Sequence, residues 1–155
     1  MHSVYKPILS LDFDGVIHSY RSGWKGPRNI PDEAMPGALQ FIVEAQEFFN
    51  VHIYSTRSRY FGGRRAMRRW LTKEYSKIYT YGNSLPDWFS NKMNWLSFEP
   101  ALVVFNDAVS DVIKNISFPN HKPPALVTID DRAIQFKGEW PSVEELLKFK
   151  PYKPN

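Results

Sequence analysis

Two carboxylates two residues apart, Asp12 and Asp14, close a short apolar run that begins at Ile8, and Gly15 follows them. In a strand, side chains alternate between faces, so both acids point the same way. Held that close they repel, and a cation or a shared proton is needed between them. Gly15 lets the chain turn sharply and presents amide N–H groups that suit an anion. Asp-x-Asp-Gly also opens calcium loops, but loop position 5 would be Val16 and position 12 would be Gly23, where such loops need oxygen ligands.

The theme returns near the far end of the chain. Ala125-Leu126-Val127-Thr128-Ile129 is an apolar strand ending in Asp130-Asp131-Arg132. A third run, Val51-His52-Ile53-Tyr54, ends in the polar cluster Ser55-Thr56-Arg57-Ser58. Between the first and third runs, Leu39, Ile42 and Val43 give a helical stripe, with Pro36 in a first turn and Asn50 as a stop. Strand, helix and strand in that order form a βαβ unit, whose strands are parallel. Their C-terminal ends share one sheet edge, where ligands bind in open α/β folds. Topology therefore gathers Asp12, Asp14 and Ser55. A hydroxyl at a strand end also commonly caps the next helix, so Ser55 has a plain structural reading beside the functional one.

Other segments are less decided. His18–Asp32 reads as a loop with Trp24 as its one large apolar residue. Ala101–Asp107 is either another strand ending in an acid or a helix continuing to Ile113. Ile116–Pro124 reads as an extended piece and a rigid turn. Ser84 with Asp87, and Ser142 with Glu145, have capping-box spacing before short helices. The last residues, Lys148–Asn155, are expected to fray.

At 155 residues, 43% of them apolar, the chain can bury the core of one domain, taken as 1–155. It has no cysteine, which excludes disulfides, thiolate metal sites and cysteine nucleophiles and fits a cytoplasmic setting. No apolar run is long enough to span a membrane, and residues 1–7 do not read as a signal peptide. The net charge of +4 is compatible with polyanion binding and diagnostic of nothing. Its densest source is Arg57, Arg59, Arg64, Arg65, Arg68 and Arg69. Around the last four, Ala66, Met67, Trp70 and Leu71 form an apolar stripe, so the arginines are either a solvated helix face or a rim that steers a polyanion. Tyr75, Tyr79, Tyr81, Trp88, Phe89 and Trp95 read as core aromatics, with base stacking the less common alternative.

The ordered set Asp12-Phe13-Asp14-Gly15-Val16, Ser55 after its strand, Lys122, and Ile129-Asp130-Asp131 resembles the haloacid dehalogenase (HAD) superfamily, in its phosphatase branch. The resemblance runs over residues 8–132. It implies a three-layer, Rossmann-like α/β fold with a mostly parallel central sheet. It also implies a cytoplasmic Mg²⁺-dependent phosphomonoesterase. Asp12 would be the nucleophile and Asp14 the acid and base. The Asp12 carboxylate, the Asp14 backbone carbonyl, Asp130 and Asp131 would hold Mg²⁺. Gly15, Ser55 or Thr56, and Arg57 would meet the phosphate, and Lys122 would neutralise it, with Lys92 and Lys114 as the other lysines open for that role. Asn106-Asp107 is a rival for the second metal-binding pair. The spacing leaves little or no room for a cap, so the site should be open to phosphorylated small molecules or nucleic-acid ends. The alternatives are a polynucleotide-end phosphatase, or a non-catalytic nucleic-acid-binding module on the same fold.

Overall fold

The computed structural model describes residues 4–79 and 84–154. Tyr81, among the aromatics named above, lies outside them, as does the final Asn155. The chain is α/β. Strands β1 (Ile8–Leu11), β2 (Asn50–Ile53), β3 (Ile116–Ser117) and β4 (Val127–Ile129) form one sheet in the order β3-β2-β1-β4. All three pairings are parallel. That arrangement is compatible with a Rossmann-like fold.

The order explains where a site can form. The chain steps outward from β1 to β2 to β3, then returns to lay β4 on the other side of β1. The connections therefore reverse between β1 and β4, which makes the crevice at the ends of those strands a topological switch point. Leu11 sits opposite Ile129, and the Asp12 N–H donates to the Ile129 carbonyl at 3.0 Å. On the other side Leu11 sits opposite Ile53, and its carbonyl accepts from the Tyr54 N–H at 3.0 Å. Each acidic or hydroxyl cluster thus leaves the same edge of the sheet.

The connections are helical. Helix α1 (Ala38–Ala45) joins β1 to β2, and buries Ile42, Val43 and Ala45. Gly37, at φ 80°, caps it, so Pro36 lies before the helix rather than in its first turn. A 3₁₀ turn (Thr56–Arg59), α2 (Gly63–Ser76), α3 (Asp87–Ser90) and α4 (Ala101–Lys114) join β2 to β3. The undecided run 101–107 is thus helical. Val104, Phe105, Ala108, Val109, Val112 and Ile113 form its buried stripe, which has helical spacing. Phe89, Tyr79 and Phe105 pack ring against ring, so these aromatics are core. Trp95 is exposed.

Two capping expectations are corrected. Helix α3 starts at Pro86 rather than Ser84, because Pro86 already has the fixed φ (−63°) of a helix entry. Ser142 does cap α5 (Val143–Leu147), but its hydroxyl makes no capping hydrogen bond.

The core draws on β1, β2, β3, α1, α2, α3 and α4. Nothing after Phe118 joins its fully buried apolar set. All three residues of β4 are exposed, so this strand is an open edge rather than the buried strand its composition suggests. Among the described residues no helix is long and apolar enough to cross a membrane.

One glycine inverts the usual effect of substitution. A Cβ on Gly63, the first residue of α2, would lie 2.0 Å from the Arg57 carbonyl oxygen, which is backbone and cannot swing away. Glycine to alanine in a helix ordinarily stabilises by about 1 kcal/mol. Here Gly63→Ala destabilises instead, by about 1–3 kcal/mol, the usual scale of overpacking, as read from the urea midpoint.

Candidate active site at the β1 and β4 ends

Asp12 directly follows β1, and Asp130 and Asp131 directly follow β4. Ligand oxygens of these three carboxylates all lie within 4.8 Å of one another. The Phe13 N–H donates to Asp12 Oδ1 at 2.8 Å. Even so, the Asp12 carboxyl is pushed up from 3.8 to about 7, first by burial, then by the neighbouring charges of Asp130, Asp131 and Asp14. Every charge acting on it is negative. Burial also pushes Asp131 up, against the pull of Arg132. Asp131 Oδ1 is buried and has no hydrogen-bond partner among the described residues. Asp130 is exposed, and its Oδ1 accepts from the Arg132 N–H at 2.8 Å.

Three converging carboxylates, with an unpartnered oxygen on Asp131 and only the exposed Arg132, 3.8 Å from Asp131 Oδ2, as counter-charge, fit a hard divalent cation. The donor set is all oxygen, which suits Mg²⁺, Mn²⁺ or Ca²⁺ and disfavours metals that seek sulfur or imidazole.

Asp14 does not join this group through its carboxylate. The chain turns after Phe13, whose carbonyl accepts from the N–H groups of Val16, Ile17 and His18. The Asp14 side chain meets Arg57, whose Nε donates to Oδ1 at 3.1 Å and to Oδ2 at 2.9 Å. It also meets His18 Nδ1, 2.9 Å from Oδ1. His18 Nε2 accepts from the Asp32 N–H at 3.1 Å, which places the ring proton on Nδ1, directed at Asp14. Neither His18 nor this use of Arg57 was foreseen. The available sequence signal is weak: a histidine four residues past Asp14.

Arg57 is therefore corrected from phosphate ligand and rim residue to buried clamp. Its side chain is fully enclosed. Nη1 donates to the carbonyls of Gly26 (2.7 Å), Pro27 (3.1 Å) and Asn29 (3.1 Å). Its guanidinium lies 4.7 Å from the Trp24 ring centre and 5.9 Å from that of Phe13. The loop at 18–32 is thus tied to the site, and Trp24 is part of the tie.

Gly15 is also reassigned. Its N–H donates to the His18 carbonyl at 2.9 Å, so it is not free for an anion. Its glycine identity has another cause. Its φ is +83°, and a Cβ would sit 2.5 Å from Asp131 Oδ2. The missing side chain makes room for a carboxylate of the cation cluster.

Ser55 is buried and caps the 3₁₀ turn. Its hydroxyl accepts from the Arg57 N–H at 3.2 Å, and its own N–H donates to Ser58 Oγ at 3.0 Å. Thr56, one residue on, is exposed. Of the two hydroxyls, Thr56 is the one that solvent can reach.

Lys122 is exposed in the segment before β4 and is absent from the charges acting on Asp12. Of the other lysines weighed, Lys92 pairs with Glu47, and Lys114 closes α4. Asn106 and Asp107 lie within α4, away from any strand end, so they do not form the acid pair. The tail expected to fray instead has Pro151–Pro154 lining a cavity of about 300 Å³ together with Gly15, Tyr20 and Asp131.

The chain matches no family model, no curated protein and no solved structure.

Two outcomes follow from this geometry. Arg57→Ala leaves a largely enclosed Asp14, 14% exposed, without its cation and three carbonyls without a donor. It costs about 3–5 kcal/mol, the scale for breaking a buried ion pair, measured by denaturant unfolding.

The second concerns pH. With divalent cations chelated, folded Asp12 keeps its proton from 3.8 up to about 7, while the unfolded chain has already released it. The folded state binds the extra proton, so stability falls as pH rises through that window. Asp12→Asn flattens the fall. Added Mg²⁺ raises the melting temperature more at pH 8 than at pH 5. A cation effect equal at both pH values would contradict the assignment.

Proposed function

We propose that this chain is a divalent-cation-dependent phosphomonoesterase of the HAD type, working through an aspartyl-phosphate on Asp12. The observation that carries the reading is the convergence of Asp12, Asp130 and Asp131 at the β1/β4 switch point, where three carboxylates share one exposed arginine, Arg132, whose Nε lies 3.8 Å from Asp131 Oδ2. The buried cation at this edge of the sheet, Arg57, is given to Asp14.

Asp12, Asp130 and Asp131 would hold Mg²⁺, which when bound supplies the positive charge that keeps Asp12 ionised and offsets the phosphate. The chain's own groups account for the rest. An Asp12 oxygen attacks phosphorus, and the bond from phosphorus to the ester oxygen breaks. The departing oxygen takes a proton from Asp14. In the second half, Asp14 takes a proton from water, the water oxygen attacks phosphorus, and Asp12 is released as a carboxylate. One difficult displacement is thereby divided into two.

Asp14 has a condition to meet. With both oxygens accepting from Arg57 and His18, it has no proton to give in that pose. Its work as an acid requires the side chain to leave Arg57 and turn toward the cluster. Thr56 or Ser55 would donate to the phosphate. Lys122 would supply positive charge to it, reaching in from its exposed segment.

The test is hydrolysis of p-nitrophenyl phosphate with and without Mg²⁺. Wild type turns over only with the cation, and Asp12→Asn loses activity by at least about a thousandfold, as expected for removal of a covalent nucleophile. Full activity in Asp12→Asn would falsify the mechanism.

A further inference from the structure

The arginine-rich stretch becomes something more definite in three dimensions. Arg64, Arg65, Arg68 and Arg69 are exposed along α2, whose buried residues include Met67, Leu71 and Tyr75. Together with Arg59 and Arg28 they line one open groove of about 990 Å³. Arg28 comes from the loop at 18–32 and is brought in because Gly62 lacks a side chain: a Cβ there would lie 2.9 Å from Arg28 Cδ. No acidic residue lines the groove. None of the six arginines is in a salt bridge among the described residues. Like charges at (i, i+4), as in 64/68 and 65/69, repel. The cluster is therefore held together against its own repulsion, and a polyanion along the groove relieves it.

The groove also carries aromatic surface. Tyr60 and Phe61 are part of its lining, and Phe61 is 93% exposed. Tyr60 leans on Trp24, with ring centres 6.0 Å apart. Arg68 lies 4.8 Å from the ring centre of Phe118. Positive charge with unburied rings matches the backbone and the unpaired bases of a single strand. A flat bilayer surface does not follow a concave wall, and the carboxylates of an acidic peptide do not stack on rings as unpaired bases do.

Two residues of the groove adjoin residues proposed to meet the phosphate. Its lining includes Ser58, whose hydroxyl accepts from the Ser55 N–H. It also includes His121, the residue before Lys122.

We propose that this groove binds single-stranded nucleic acid, and that the phosphorylated end of that strand is what the site acts on. The second half of that statement rests on the phosphatase reading above, whereas the first does not.

The probe is a fluorescent oligothymidylate without a terminal phosphate, followed by anisotropy. The wild-type protein binds it, and affinity falls linearly on a log–log plot against salt. Arg65→Ala/Arg69→Ala is the test variant, because both side chains are exposed and make no hydrogen bond among the described residues. It weakens binding roughly tenfold and makes the salt slope shallower by about 1.4, at about 0.7 for each of the two phosphates no longer neutralised. Phe61→Ala weakens oligonucleotide binding by about fivefold or more, the scale of removing one base stack, and leaves inorganic polyphosphate binding unchanged. Turnover of p-nitrophenyl phosphate is the same in the double variant as in wild type. With a 3′- or 5′-phosphorylated oligonucleotide as substrate, kcat/KM drops in the double variant.

No binding at low salt overturns the proposal, as does binding that the double variant leaves intact. Polyglutamate or duplex DNA binding as tightly as the single strand overturns the ligand assignment. Oligonucleotide binding that disappears in the double variant, in a protein that hydrolyses no phosphate ester, supports the groove and removes the phosphatase reading instead.

Discussion

The structure around the site depends on one buried charge. Arg57 has no exposed side-chain surface, and an unpaired guanidinium there would cost several kcal/mol. Asp14 neutralises it, three loop carbonyls take two of its hydrogens, and two aromatic rings border it. The requirement runs in both directions. Asp14 is turned away from Asp12 because Arg57 needs it, and the loop at 18–32 lies flat because its carbonyls are needed too. Trp70 and Glu74 fasten the same loop further on, through the Asp32 carbonyl and the Ala34 N–H. Without Arg57 both the loop and the acid would lose their anchor.

The consequence for charge is a division of labour. Asp12 and Asp14, only two residues apart, end up in opposite electrostatic settings. Asp14 has a full cation and a histidine N–H. Asp12 has burial, one backbone N–H and three negative neighbours. A strand-like geometry running through both residues would have put them on one face and left both uncompensated. The turn closed by the Phe13 carbonyl breaks that symmetry after β1, and Gly15 lets Asp131 occupy the space beside it.

How much of this was legible in the chain follows the range of the interactions. The parallel β1-α1-β2 unit is readable because its periodicities are local, and topology puts Asp12 and Ser55 on one edge, whereas Asp130 and Asp131 join them only through the resemblance. The identity of 101–113 was not readable from an unbroken apolar run, which suits a buried strand or helix equally. The apolar run at 125–129 is a strand as read, yet its residues are exposed, because burial depends on what packs against them. Arg57 was placed at the phosphate because it follows a strand end. Its real partners are 28 to 43 residues away in sequence, and nothing local points to them. The same holds for Arg28, which enters the groove only through the close approach of Gly62.

The two charge systems also imply an order of events in the proposed reaction. Four of the groove arginines lie along α2 and the other two, Arg28 and Arg59, precede it, and none is among the charges that shift Asp12. Their charge attracts the body of a polyanion without neutralising the carboxylates at its end. A phosphate approaching Asp12, Asp130 and Asp131 would therefore meet three carboxylates against the single exposed charge of Arg132, however well the groove held the rest of the strand. A cation bound first removes that barrier and lowers the proton affinity of Asp12 at the same time. Asp14 is then the one carboxylate without a share in the cation, and so the one free to carry protons once it leaves Arg57. Cation first and phosphate second is the order that spares the phosphate a site of uncompensated carboxylates, and release of Asp14 comes last because it leaves the enclosed Arg57 without its counter-charge.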